Sequence, residues 1–185
     1  MNNYKFFLAT ACIASLMLSF ASCSNPDIDE LVKHAVSEYN YEARYYNNES
    51  DALVRYYYAN KQDEKNGNIT TDKKDPVRIT KGTLIVEGVS DYTKLKITLN
   101  SGLSFVSSKI EPDGKINPSN CFSFTIPKQQ TSEGEIESFN ISKSPDNELS
   151  QGTYYGYKGE EELEFGIKFV NTDKQVIRFY ATKKK

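Results

Sequence analysis

From Val77 to Thr182 the apolar residues recur at every second position in short runs, and no stretch between the runs carries helical spacing. Leu95, Ile97 and Leu99 alternate with Lys96 and Thr98, and a β-branched run spans Thr83 to Glu87. Leu103 to Val106 follows the turn-forming Asn100-Ser101-Gly102, and Phe122, Phe124 and Ile126 alternate again before stopping at Pro127. Leu163, Phe165, Ile167 and Phe169 face Ile177 and Phe179 across Asn171 to Lys174, a turn of hairpin length. Ile136 is one step out of phase with Phe139 and Ile141, which suggests a bulge. About eight strands result. Parallel strands need crossover helices, and none fits here, so the sheet is expected to be antiparallel. Alternation on one face means half-solvated strands, as in a sandwich or a barrel. Residues 77–185 are therefore read as one antiparallel β domain.

Residues 24–66 differ in composition. They hold nine acids, five bases and seven tyrosines, with no glycine. Ile28, Leu31, Val32, Ala35, Val36, Tyr39, Ala43 and Tyr46 recur at spacings of three and four, which predicts an apolar helical face. Ser50 or Asp51 offers a cap for a second helix through Leu53, Val54, Tyr57 and Tyr58, and one bent helix fits as well. The expected fold class is α+β and β-dominated, with a helical segment over 31–66 leading into the antiparallel sandwich or barrel.

The leader decides the compartment. Met1 to Lys5 carry one positive charge, and Phe6 to Phe20 carry none. This is the order of a secretory signal, and the apolar run is short for a span of about 20 residues. The stretch ending Phe20-Ala21-Ser22-Cys23 resembles the lipobox of bacterial lipoproteins, although Phe20 stands where that pattern usually has leucine. The resemblance implies a signal peptide over 1–22, an acylated Cys23 inserted in a bilayer, and a tether over 23–30. Ser24 after the cysteine is similar to the pattern sent to the outer membrane. Asp27, Asp29 and Glu30 resemble the acidic export signal of Bacteroidota surface lipoproteins. An outer-membrane lipoprotein, facing the periplasm or the surface, is what this implies.

Without residues 1–22 the 185-residue chain keeps 163, enough for one domain with a core. The net charge becomes −3, which draws it neither to nucleic acid nor to an anionic bilayer. No second cysteine then remains to form an intramolecular disulfide with Cys121, which reads as a small core residue.

Catalytic sets are sparse. His34 is the sole histidine, on a predicted helix surface, with no nucleophile motif near it. No H-E-x-x-H, C-x-x-C or phosphate-cradling glycine motif occurs, so neither a metal nor another cofactor is expected. Glu160, Glu161, Glu162 and Glu164 are read as the wet face of a strand. The tyrosines stand out. Adjacent rings on a helix point about 100° apart, so Tyr45, Tyr56 and Tyr58 are candidates for an exposed recognition surface. The loop over 108–120 is the next candidate. The expectation is a non-enzymatic binding or accessory module at the outer membrane, with a glycan or protein ligand. The alternative is an inhibitor or immunity protein blocking a secreted enzyme or toxin, and a hydrolase is the third class.

Overall fold

The computed structural model describes residues 28–112, 121–141, 155–170 and 175–185, except for the side chains of Arg55 and Tyr56. The signal peptide, Cys23 and the first part of the tether lie outside the described residues, as do most of the 108–120 loop and the 171–174 turn.

The chain opens with helix α1 (Ile28–Ala35). Its acids Asp29 and Glu30 sit in the first turn and both bind Lys33 at 3.0 Å. At its end the Tyr39 hydroxyl, four residues on, donates to the Ala35 carbonyl at 2.8 Å, satisfying a group that helices leave open. From there the chain is strand β1 (Ser37–Tyr46), the short helix α2 (Glu49–Ala52), strand β2 (Val54–Tyr57), helix α3 (Lys61–Asn66) and strand β3 (Thr70–Lys73). The larger strands β4 (Arg78–Val89) and β5 (Lys94–Leu99) follow, then β6 (Ser104–Val106), β7 (Glu111–Pro112), β8 (Phe122–Ser123), β9 (Gln129–Thr131) and β10 (Gly134–Ser138). The last three are β11 (Gly156–Lys158), β12 (Glu162–Phe169) and β13 (Val176–Lys183).

Eleven strands form one sheet in the order β6-β5-β4-β1-β13-β12-β11-β8-β7, with β10 joined to β12 and β9 to β10. The fold is β-dominated and antiparallel, as the alternation predicts, and the nine-strand path curls into a half-barrel. The curl is visible in the core. Phe165 of β12 stacks on Phe179 of β13 at 4.6 Å and meets Phe105 of β6 edge-on at 5.7 Å, so the far end of the strand order bends back onto its middle. The exposed edge of β6 is not left as a free ladder. The Gln129 side-chain amide donates to the Val106 carbonyl at 2.8 Å and accepts from its N–H at 2.9 Å, doing what another strand would do. Helix α1 lies across the mouth of the curl, touching β4 and β7, and buries Leu31, Val32 and Ala35 in the same core.

The helical reading of 31–66 holds only in fragments. Residues 28–30, assigned to the tether, belong to α1, whereas residues 37–46 form the strand between β4 and β13. Tyr39, Ala43 and Tyr46 satisfy helical spacing, yet Tyr39, Tyr41, Ala43 and Tyr45 also satisfy an alternation of two. Strands on both sides supply ladder partners to this stretch, and tyrosine is at home on a pleated surface. The sheet therefore draws on residues well before 77. The second predicted helix breaks into α2, capped by Asn48 rather than Ser50 or Asp51, and α3, capped by Asn60. Between them β2 pairs with β3 alone in a two-stranded ribbon, a finger whose strands have no other strand partner.

Ile136 is out of phase because β10 ends between it and Phe139. Ile136 packs in the main core, whereas Phe139 and Ile141 join Tyr46, Ala52 and Val176 in a second cluster. That cluster closes over Gly166, where an added Cβ would lie 2.4 Å from the Phe139 ring. In the β5–β6 turn Gly102 takes φ +93°, which glycine adopts freely.

Candidate functional site

Strands β1 and β13 turn Tyr39, Tyr41, Ala43, Ile177, Phe179 and Ala181 toward the main core. By alternation their other face carries Glu42, Arg44 and Tyr46 beside Arg178 and Tyr180. The register sets Arg44 directly opposite Arg178. Two guanidinium groups side by side repel unless their charge is answered. Here Glu42 accepts from Arg44 Nε at 2.7 Å, and Glu164 of β12 accepts from Arg178 Nη2. The Tyr180 ring lies 4.4 Å from the Arg44 guanidinium and 5.2 Å from that of Arg178. Arg178 Nη1 also donates to the Ala52 carbonyl at 2.8 Å, which ties α2 to the sheet. The Tyr157 hydroxyl donates to Glu164 at 2.9 Å; burial first, then the Glu164 charge, pushes its pKa up. Arg178 is only 4% exposed, and its Nε has no partner among the described residues.

Against this charged face the root of the finger encloses a cleft of about 190 Å³. The sheet contributes Arg44, Tyr46, Tyr180 and Ile79. The root contributes Leu53, Val54 and Pro76 as apolar wall, with Lys73, Lys74 and Asp75 as its charges. Lys74 is spoken for by Asp51 at 2.6 Å. The Lys73 side chain makes no ion pair or hydrogen bond among the described residues. Burial raises the pKa of Tyr46 and pushes that of Tyr180 up to about 12, so both hydroxyls stay protonated and can donate. The cleft thus combines three cations, one acid, aliphatic wall and two phenols. That chemistry holds an anion attached to an apolar body.

Two larger cavities are less suited to recognition. One of about 440 Å³ lies between α2 and the β12–β13 end, but the only cation among its described lining residues, Lys168, is answered twice, by Glu49 at 2.8 Å and Glu137 at 3.0 Å. The other, about 430 Å³, is lined by Ser108, Lys109 and Glu111 from the predicted loop, with Phe124 and Tyr155, and among its described lining residues carries one charge of each sign.

The tyrosine candidates do not share one element. Tyr45 is half-buried on β1, packed against the core with the Arg78 guanidinium 3.8 Å from its ring centre. Tyr56 and Tyr58 belong to the finger. Tyr56 pairs its backbone with Thr71, and Tyr58 is half-buried just beyond β2. His34 is exposed on α1, and Cys121 is buried. Glu160, Glu161 and Glu162 are exposed, but Glu164 is not, since it serves Arg178. The cleft residues Arg44, Lys73 and Lys74 escape a sequence reading. A signal did exist for Arg178: a charge between Ile177 and Phe179 in a strand buried on both faces demands a partner.

A second buried cation lies elsewhere. Lys158 on β11 has no solvent exposure and donates to the carbonyls of Gly159 and Glu160. Burial, helped by the nearby Lys183 charge, pulls its pKa down to about 8. Its amine is directed at main-chain oxygens.

No family model, curated protein or solved structure matches this chain.

Proposed function

We propose that this protein is a lipid-anchored, non-enzymatic binding module of a bacterial outer membrane, held by acylated Cys23 and engaging its ligand at the finger-root cleft. The observation that supports the reading is the Lys73 side chain, without an ion pair or hydrogen bond among the described residues, in a cleft that sets three cations and one acid beside aliphatic groups and phenols. Lys73 is exposed, so its charge is held by water until an anion beside the aliphatic wall replaces that water. The lipobox resemblance supplies the anchor, and the curled sheet supplies a rigid platform for the cleft.

An inhibitor of a secreted enzyme is the second reading. It draws on the finger, whose strands pair only with each other and whose Ile69 is 52% exposed beside β3.

The test has two arms. In cells, Cys23→Ala is expected to move the protein from the membrane fraction to the soluble one; unchanged membrane partitioning refutes the anchor. The released protein is then incubated with an envelope extract and with a panel of secreted proteases and glycosidases. Retention of an envelope component, recovered chemically unchanged, supports the module. Turnover of that component refutes the non-enzymatic reading, and stoichiometric loss of one hydrolase activity favours the inhibitor.

A further inference from the structure

The chemistry of the cleft narrows what it takes, on the premise that it is the binding site. Sugar recognition commonly uses an open aromatic face. Here the Tyr180 ring is flanked by the Arg44 and Arg178 guanidinium groups, and Tyr46 is only 5% exposed. Neither ring offers a free platform. What remains is aliphatic wall from Leu53, Val54, Pro76 and Ile79, close to Lys73, Lys74 and Arg44, with Asp75 as the one acid against these three cations. Ile79 is 50% exposed, a large apolar surface left to water beside these cations. An aspartate or glutamate side chain brings a carboxylate but too little hydrocarbon for four aliphatic neighbours. An aliphatic residue at the end of a polypeptide brings both, with the carboxylate one bond from the carbon bearing the side chain. A volume of about 190 Å³ admits one such residue and little more.

We infer that the finger-root cleft binds the free carboxyl-terminal residue of a polypeptide partner, its aliphatic side chain against Leu53, Val54 and Ile79 and its carboxylate on Lys73 and Arg44. Arg44 is pre-aligned for this. Glu42 and the Tyr180 ring already fix its guanidinium, so little side-chain freedom is lost on binding. Lys73 is exposed and unpaired, so a change there alters the cleft without touching the core.

The probes are N-acetyl-leucine, its neutral amide and galacturonic acid, each titrated into the full-length chain carrying Cys23→Ala, with backbone amide shifts followed by NMR. N-acetyl-leucine is expected to bind saturably, with shifts at Val54, Lys73 and Ile79. The amide is expected to bind on the order of tenfold more weakly, as loss of one charge-assisted contact implies. Lys73→Glu should weaken N-acetyl-leucine binding by at least as much, and added salt should weaken it as well. Lys168→Gln, in the larger cavity, should leave it unchanged. Equal binding of the amide overturns the carboxylate assignment. Tighter binding of galacturonic acid overturns the polypeptide terminus in favour of an acidic glycan. Absence of binding, or shifts confined to other surfaces, overturns the site. Retention of an envelope component despite such a failure leaves the binding module standing with a different ligand.

Discussion

Arg178 is the most exacting residue in the fold, and Glu164 is the one that makes it tolerable. The guanidinium is 4% exposed, faces Arg44 across the β1–β13 ladder, and among the described residues has one carboxylate within ion-pair reach. Glu164→Gln keeps the shape of the side chain and removes the charge. The amide oxygen can still accept from Arg178 and the NH₂ can donate to the Tyr157 hydroxyl, so what is lost is the charge rather than the hydrogen bonds. Breaking a buried pair by removing one partner costs about 3–5 kcal/mol. Glu164 keeps some contact with water, its side chain being 13% exposed, which argues for the lower end, about 3 kcal/mol. In a chain this size that corresponds to a fall in Tm of roughly 6–12 °C. Arg178→Met is the informative companion. It removes the more deeply buried charge and gives up the Ala52 carbonyl, Tyr180 ring and Glu164 contacts; Glu164 is left with some water and the Tyr157 hydroxyl, so the change should cost less than Glu164→Gln. Urea melts followed by far-UV circular dichroism measure both. A loss below about 1 kcal/mol for Glu164→Gln, or a larger loss for Arg178→Met, would refute the argument that the charge is buried and singly answered.

Two further perturbations probe other parts of the molecule. Lys158 titrates near 8 when folded against 10.5 when free, so the unfolded chain binds the extra proton between those values and stability rises with pH across that window. The burial penalty is complete below about pH 8; Lys158→Met should therefore abolish about 2–3 kcal/mol of pH-dependent gain relative to the parent between pH 8 and 10.5. Parallel curves for the two proteins across that window would show the amine to be solvated. Gly166→Ala puts a Cβ 2.4 Å from the Phe139 ring and 2.6 Å from Ile141, and should cost about 1–3 kcal/mol, whereas Gly159→Ala, with nothing nearer than 3.9 Å, should stay within about 0.5 kcal/mol. Equal melts for the two alanine variants would mean that the outer cluster yields freely.

The sequence alone was enough for the antiparallel, β-dominated fold, because alternation such as Leu95-Lys96-Ile97-Thr98-Leu99 reports a half-buried strand without reference to any neighbour, and β5 buries those three residues. The β12–β13 pairing was legible for the same reason: Phe165 faces Phe179 and Ile167 faces Ile177. Residues 37–46 were not legible. Their tyrosines fit both periods, and the choice fell to β4 and β13, which lie at least 32 residues away in the chain and supply ladder partners from both sides. The cleft was further out of reach, since its cations come from β1 and from the finger root, segments that become neighbours only after the sheet has formed. Local pattern determines which face of a strand is apolar. Which outward-facing charges meet depends on register and curl, and those are set by contacts between residues far apart in the chain.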